Sequence, residues 1–95
     1  MPEKLPSHQL RALKARAQLL KPILKVGKEG LSPAFLKSVD EALAHRELVK
    51  VKFGEFKDEK KQLTPLLVEK TSAHLIMRVG NVAVLFRPKE TKSAE

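Results

Sequence analysis

The 95-residue sequence contains no cysteine, no tryptophan and no tyrosine, and its four aromatic residues are all phenylalanine. Without cysteine there are no disulfides, no thiol chemistry and no Cys-ligated zinc, which fits a reducing compartment. Aromatics at 4% do not supply a sheet of base-stacking rings of the kind RRM domains use. No apolar run approaches the ~18 residues of a membrane span, and residues 1–6 hold no hydrophobic stretch of signal-peptide length. These absences predict a cytoplasmic protein without a membrane partner.

Acid is also missing where base is plentiful. Between Lys4 and Lys28 there are seven basic residues, Lys4, Arg11, Lys14, Arg16, Lys21, Lys25 and Lys28, and no Asp or Glu. From Phe53 onward eight basic residues meet six acids, so most of the formal +8 charge lies in the N-terminal half. A clustered excess of one sign makes a field that concentrates a polyanion. The bland alternative, a solubility charge, is more often mixed in sign. Self-repulsion at +8 also favours a monomer.

Hydrophobic residues at 42% and charged residues at 32% describe a globular chain, and its length allows one core and one domain. Ser7 reads as an N-cap, and Leu10, Leu13, Ala17 and Leu20 recur at helical spacing, with Arg11, Lys14, Gln18 and Lys21 on an adjoining face. Lys21-Pro22 ends that helix. Ile23–Val26 reads as a strand and Gly27–Gly30 as a turn. Ser32 then caps a helix with Pro33 at its first position, Leu31 and Leu36 stand at staple spacing, and Phe35, Leu36, Val39, Ala42 and Leu43 form its stripe. In Leu48–Phe53 the alternation turns Val49, Val51 and Phe53 inward and Lys50 and Lys52 outward. Residues 58–71 read as a third helix with Leu63, Leu66, Leu67 and the stem of Lys70 inward, and Pro65 an awkward interruption. Ala73–Val79 and Val82–Arg87 form a hairpin about Gly80-Asn81. The last strand is apolar at nearly every position, as a strand buried on both faces would be. The expectation is one α/β domain over residues 7–88, in the order α-β-α-β-α-β-β, with a four-stranded mixed sheet and three helices. Residues 1–6 and 89–95 would be flexible ends.

Little here points to catalysis. His8, His45 and His74 are not at metal-ligand spacing, none is paired in sequence with a carboxylate, and nucleophile-elbow, P-loop and dinucleotide fingerprints are absent. We therefore expect no enzyme, no metal, no cofactor and no small-molecule substrate. Gly27-Lys28-Glu29-Gly30 is the distinctive segment. It lies between a strand and a helix start, where glycines allow positive φ and close approach of a ligand, and the N–H groups of the next helix favour an anion. KH domains clamp a nucleic-acid backbone with such a GXXG loop. On its own the pattern is weak, because a strand-to-helix turn often needs glycine for geometry alone. It gains from its company: Lys21 and Lys25 lead into it, Arg11 and Lys14 lie on the first helix, Lys50 and Lys52 on a later strand, and Arg87 ends the last. With so few aromatics, backbone contact and shape reading of structured RNA are the expected mode. Phe56 is the one aromatic without a clear core position; a place under the third helix would suit it.

Three stretches together resemble the CRM domain (chloroplast RNA splicing and ribosome maturation), whose bacterial stand-alone form is the YhbY-like family. They are Leu20-Lys21-Pro22-Ile23-Leu24-Lys25-Val26-Gly27-Lys28-Glu29-Gly30-Leu31-Ser32, then Glu47–Lys52, then Val79-Gly80-Asn81 through Val84-Leu85-Phe86-Arg87-Pro88. The resemblance runs from about Leu10 to Pro88. It implies an RNA-binding domain with a fold similar to the C-terminal domain of translation initiation factor three. It further implies association with ribosomal RNA of a large-subunit precursor during ribosome assembly. Carried onto this chain, Gly27, Lys28, Glu29 and Gly30 would be the RNA-contacting loop, supported by Lys21, Lys25 and the first helix. Phe86 departs from the tyrosine of many members, and Pro65 departs from an uninterrupted third helix. Two rival readings remain: a basic module docking an acidic or ribosomal protein partner, with the glycines structural only, and an RNA-processing enzyme.

Overall fold

The computed structural model describes residues 5–88. The elements follow one another as α1 (Ser7–Ala17), β1 (Leu24–Val26), α2 (Pro33–Arg46), β2 (Leu48–Phe53), a short 3₁₀ turn (Lys57–Glu59), α3 (Lys60–Thr71), β3 (His74–Val79) and β4 (Val82–Phe86). One four-stranded sheet has the order β1-β2-β4-β3. β1 pairs parallel with β2, across the α2 crossover, and β4 pairs antiparallel with both β2 and β3. The α/β class, the element order and the mixed sheet are those read from the sequence.

The sheet separates two cores. On one face Val26, Val49, Val51, Phe53, Ala83 and Leu85 meet Val39 and Leu43 of α2 and Leu67 of α3. On the other, Leu48, Val84, Phe86 and Ile76 meet Leu13 and Ala17 of α1. Period-two alternation on β2 and β4 divides their side chains between these cores. β4, central in the sheet, is buried from Ala83 to Phe86 on both faces, which explains its unbroken apolar run.

Several boundaries differ from the sequence reading. Pro6 stands at the cap of α1 and Ser7 is already helical, with no side-chain cap bond. Leu5, expected in a loose leader, packs half-buried on the α1 core, while residues 1–4 and 89–95 lie outside the described residues. α1 stops at Ala17: the N–H groups of Leu19 and Leu20 donate to Arg16 and Ala17 at 3.1 Å in a tightened turn, and Leu19 is 87% exposed. β1 begins at Leu24, one residue later than expected, though the Ile23 N–H still donates to the Lys50 carbonyl.

In α3 the inward face is Thr64, Leu67 and Thr71, flanked by half-buried Leu63 and Val68, and Leu66 and Lys70 are exposed. The threonines can be buried because their hydroxyls donate one turn back, Thr64 to the Lys60 carbonyl (2.6 Å) and Thr71 to the Leu67 carbonyl (2.7 Å). Pro65 sits inside α3 on its exposed side, next to exposed Lys61. The Lys61 carbonyl that a proline cannot serve is therefore at the solvent side, and the helix continues.

Candidate nucleic-acid interface

β1 and β2 are parallel, so their C-terminal ends bring two loops together. The N–H groups of Gly54 and Glu55 both donate to the Val26 carbonyl (3.1 and 3.0 Å), which sets residues 54–56 beside the Gly27–Gly30 turn. The β3–β4 turn joins the same end, with Phe53 N–H on the Asn81 carbonyl at 2.7 Å and Lys60 Nζ on Asn81 Oδ1 at 2.9 Å.

Gly27–Gly30 is a β-turn closed by Gly30 N–H on the Gly27 carbonyl at 3.0 Å. Lys28 and Glu29, at its tip, are exposed and have no positive φ. The two glycines are not equivalent. Gly30 is buried at φ +66, and a Cβ there would lie 3.4 Å from the Phe56 ring. Gly27 has no positive φ, is exposed, and a Cβ there would meet nothing within 4 Å. Of the two glycines expected to allow positive φ, Gly30 alone adopts it.

The start of α2 is less open to an anion than expected. The Ser32 hydroxyl accepts the Phe35 N–H (3.2 Å) and Pro33 has no N–H. One first-turn donor is thus engaged and one position supplies none, so two of the first-turn positions offer nothing to a ligand. An anion at this end would be held by the turn's own backbone and by lysines.

Those lysines are arranged by the sheet register. Lys25 pairs with Lys52, Lys52 with Val82, and Val82 with Val79; in the next row Lys50 pairs with Val84 and Val84 with Met77. These residues face the α1 side. Beyond the end of α1 at Ala17, Lys25, Lys52 and Val79 stay exposed, and Gln18, half-buried Lys50, Met77 and Val82, Val79 and the edge of buried Val84 meet in an open groove. Exposed Lys14 lies one turn before Gln18, and Arg11 lies on the same helix flank. Lys25 is laid across Gly54, whose missing side chain makes room for its stem.

The remaining basic residues fall elsewhere. Lys21 shares a second groove with Ile23, Arg46 and Lys50, and the Lys50 ammonium donates to the Leu20 carbonyl at 3.0 Å. Arg16 and Arg46 line its continuation. Arg87 is not with the loop. It follows Phe86, which pairs with Leu48 at the opposite end of the sheet. Its guanidinium is committed to Asp40 Oδ1 (2.6 Å), the Asp40 carbonyl (2.9 Å) and the Thr71 carbonyl (2.8 Å). Arg87 ties β4 to α2 and α3.

The structure thus gathers Gly27, Lys28, Glu29, Gly30, Lys25 and Lys52 at one end, leads through Lys50 to Lys21, and sets Arg11 and Lys14 on the α1 flank. Sequence reasoning missed Arg46, Phe56 and Lys57. Lys57 follows Phe56 at the loop end, within a mixed run with Glu55, Asp58, Glu59, Lys60 and Lys61 whose charges cancel in the sequence. Among the described residues no group of three or more side chains could hold a metal ion, and no helix is long and apolar enough to cross a membrane. His74 is half-buried with its ring centroid 6.2 Å from that of Phe86, and His8 and His45 are exposed.

Comparison with known proteins agrees with this architecture. A family model described as the CRS1/YhbY (CRM) domain matches residues 5–87. A Haemophilus influenzae protein named RNA-binding protein is 37% identical over 87 residues, 90% of this chain and 88% of its own length. A Bacillus subtilis protein named Probable RNA-binding protein YqeI is 36% identical over 93 residues, covering 96% of this chain and 97% of itself. The solution structure of a hypothetical protein from Staphylococcus aureus superimposes with a TM-score of 0.76 at 33% identity, covering 95% of each chain.

Proposed function

Because the chain belongs to the CRS1/YhbY (CRM) domain family, we propose that it is a non-enzymatic RNA-binding protein whose Gly27–Gly30 turn receives a backbone phosphate. Relatives bearing RNA-binding names over nearly the whole chain support the ligand class. The observation that carries the site is Gly27. Nothing in the protein's own packing or backbone conformation calls for glycine there. A bare, exposed backbone beside Lys28 suits the close approach of a phosphate. Lys25, Lys52 and Lys50 would continue the contact across the sheet, and Lys21, Arg46 and the α1 flank would widen it. Such contacts release condensed counterions and fix the RNA's orientation without reading its sequence. Structured ribosomal RNA of a large-subunit precursor is the substrate we favour, on the family resemblance, with the cytoplasm as the place of action.

The test is a Lys28→Asp, Glu29→Asp double variant. Both positions are exposed turn tips, so the fold should survive. We expect a loss of affinity for structured RNA of about tenfold or more, with an unchanged thermal melt. Unchanged affinity in a folded variant would remove the turn from the interface.

A further inference from the structure

Phe56 is the aromatic that neither core explains. Phe53 and Phe86 are buried and Phe35 packs half-buried on the α2–α3 core, whereas Phe56 is 39% exposed and belongs to neither cluster. Its ring rests against Gly30 in the candidate phosphate turn. Its backbone is left-handed, φ 57 and ψ 36, a conformation unfavourable for a bulky side chain. Glycine or asparagine would sit there more easily, so the position keeps an exposed ring against local preference.

We propose that the Phe56 ring stacks on one unpaired RNA base whose neighbouring phosphate occupies the Gly27–Gly30 turn. The proposal rests on the RNA-binding reading above and deepens it. An aromatic face accepts any base, so the contact would select an unstacked nucleotide without selecting its identity. Bases within an A-form duplex are already stacked and their edges hard to reach, whereas loops and bulges splay bases outward. A turn for the phosphate and a ring beside it would therefore favour a stem with an unpaired nucleotide over a plain duplex. The competing explanation is that the ring only shields Gly30, and any apolar side chain of similar size would do that equally well.

Two substitutions separate these explanations. Phe56→Leu keeps an apolar side chain on Gly30 under the same backbone demand but has no π face. Phe56→Trp keeps the π face and, since the chain has no other tryptophan and no tyrosine, makes position 56 the dominant emitter. Binding to an RNA stem–loop and to a blunt RNA duplex of equal length is measured for wild type, both variants and the Lys28→Asp, Glu29→Asp variant, each checked by thermal melt. The expected result is tighter wild-type binding to the stem–loop, lost roughly tenfold in Phe56→Leu with little change on the duplex. Phe56→Trp should retain the preference, with its emission quenched by the stem–loop. If Phe56→Leu binds both RNAs like wild type, or loses both equally, the stacking role is overturned. In that event loss of binding in the turn variant keeps the phosphate reading, and wild-type binding by the turn variant overturns both.

Discussion

Gly27 and Gly30 occupy one turn, yet they answer to different constraints. Gly30 is buried in the left-handed region against Phe56, so Gly30→Ala should destabilise the fold by about 1–2 kcal/mol. Gly27→Ala introduces a methyl into open space at an ordinary φ, and its effect on stability should stay within about 0.5 kcal/mol. If a phosphate lies against this backbone, the same methyl should weaken RNA binding. Chemical denaturation alongside an RNA titration checks the pair, and an RNA affinity of Gly27→Ala equal to wild type would contradict close approach at that position. The two-glycine pattern was legible in the sequence, but the division of labour was not. It depends on Phe56, a residue twenty-six positions after Gly30 whose place is fixed by the Val26 carbonyl holding Gly54 and Glu55. No local pattern announces that contact.

The start of α2 was the helix boundary most legible in the sequence, and the end of α1 the least. Ser32 and Pro33 mark the start of α2 by local chemistry, and the cap bond to Phe35 is present. The ends carry no glycine signal: α1 closes at Gln18, α2 at Glu47 with φ 64, and α3 at Ser72 with φ 55. The proline at position 22 suggested a longer α1, but the helix tightens after Ala17, and beyond it Lys52 and Val79 stay exposed beside an open groove along Lys50 and Val82. On α3 the reading placed Leu63 and Leu67 inward correctly but put Leu66 and Lys70 where Thr64 and Thr71 stand, because residue type stood in for hydrogen bonding and the threonine hydroxyls are already satisfied by the backbone. Arg87 shows the same limit, since charge alone made it a binding candidate while its partners Asp40 and Thr71 are distant in sequence. Arg87→Met should cost about 1–2 kcal/mol of stability, discounted for the exposure of Asp40. It should leave RNA affinity unchanged, which a melt and a binding curve on the same preparation would show. A selective loss of RNA affinity at wild-type stability would return Arg87 to the interface.

At the scale of the molecule, a +8 chain would attract any polyanion, so charge alone does not distinguish an RNA-binding surface from a sticky one. What separates them is arrangement: the parallel β1–β2 pair carries the glycine turn and the exposed ring to one end and turns Lys25, Lys50 and Lys52 to one face, while α2 and α3 close the other face. The direct test is a salt titration of affinity for a structured ribosomal RNA fragment and for duplex DNA of equal length, run on wild type and on the Lys28→Asp, Glu29→Asp variant. Wild type should bind the RNA more tightly with a steep salt slope, and the variant should lose affinity and flatten that slope by roughly one unit or more. Equal, weak binding to both polymers, indifferent to the variant, would mean that the charge is generic and that the turn is only a connection between β1 and α2.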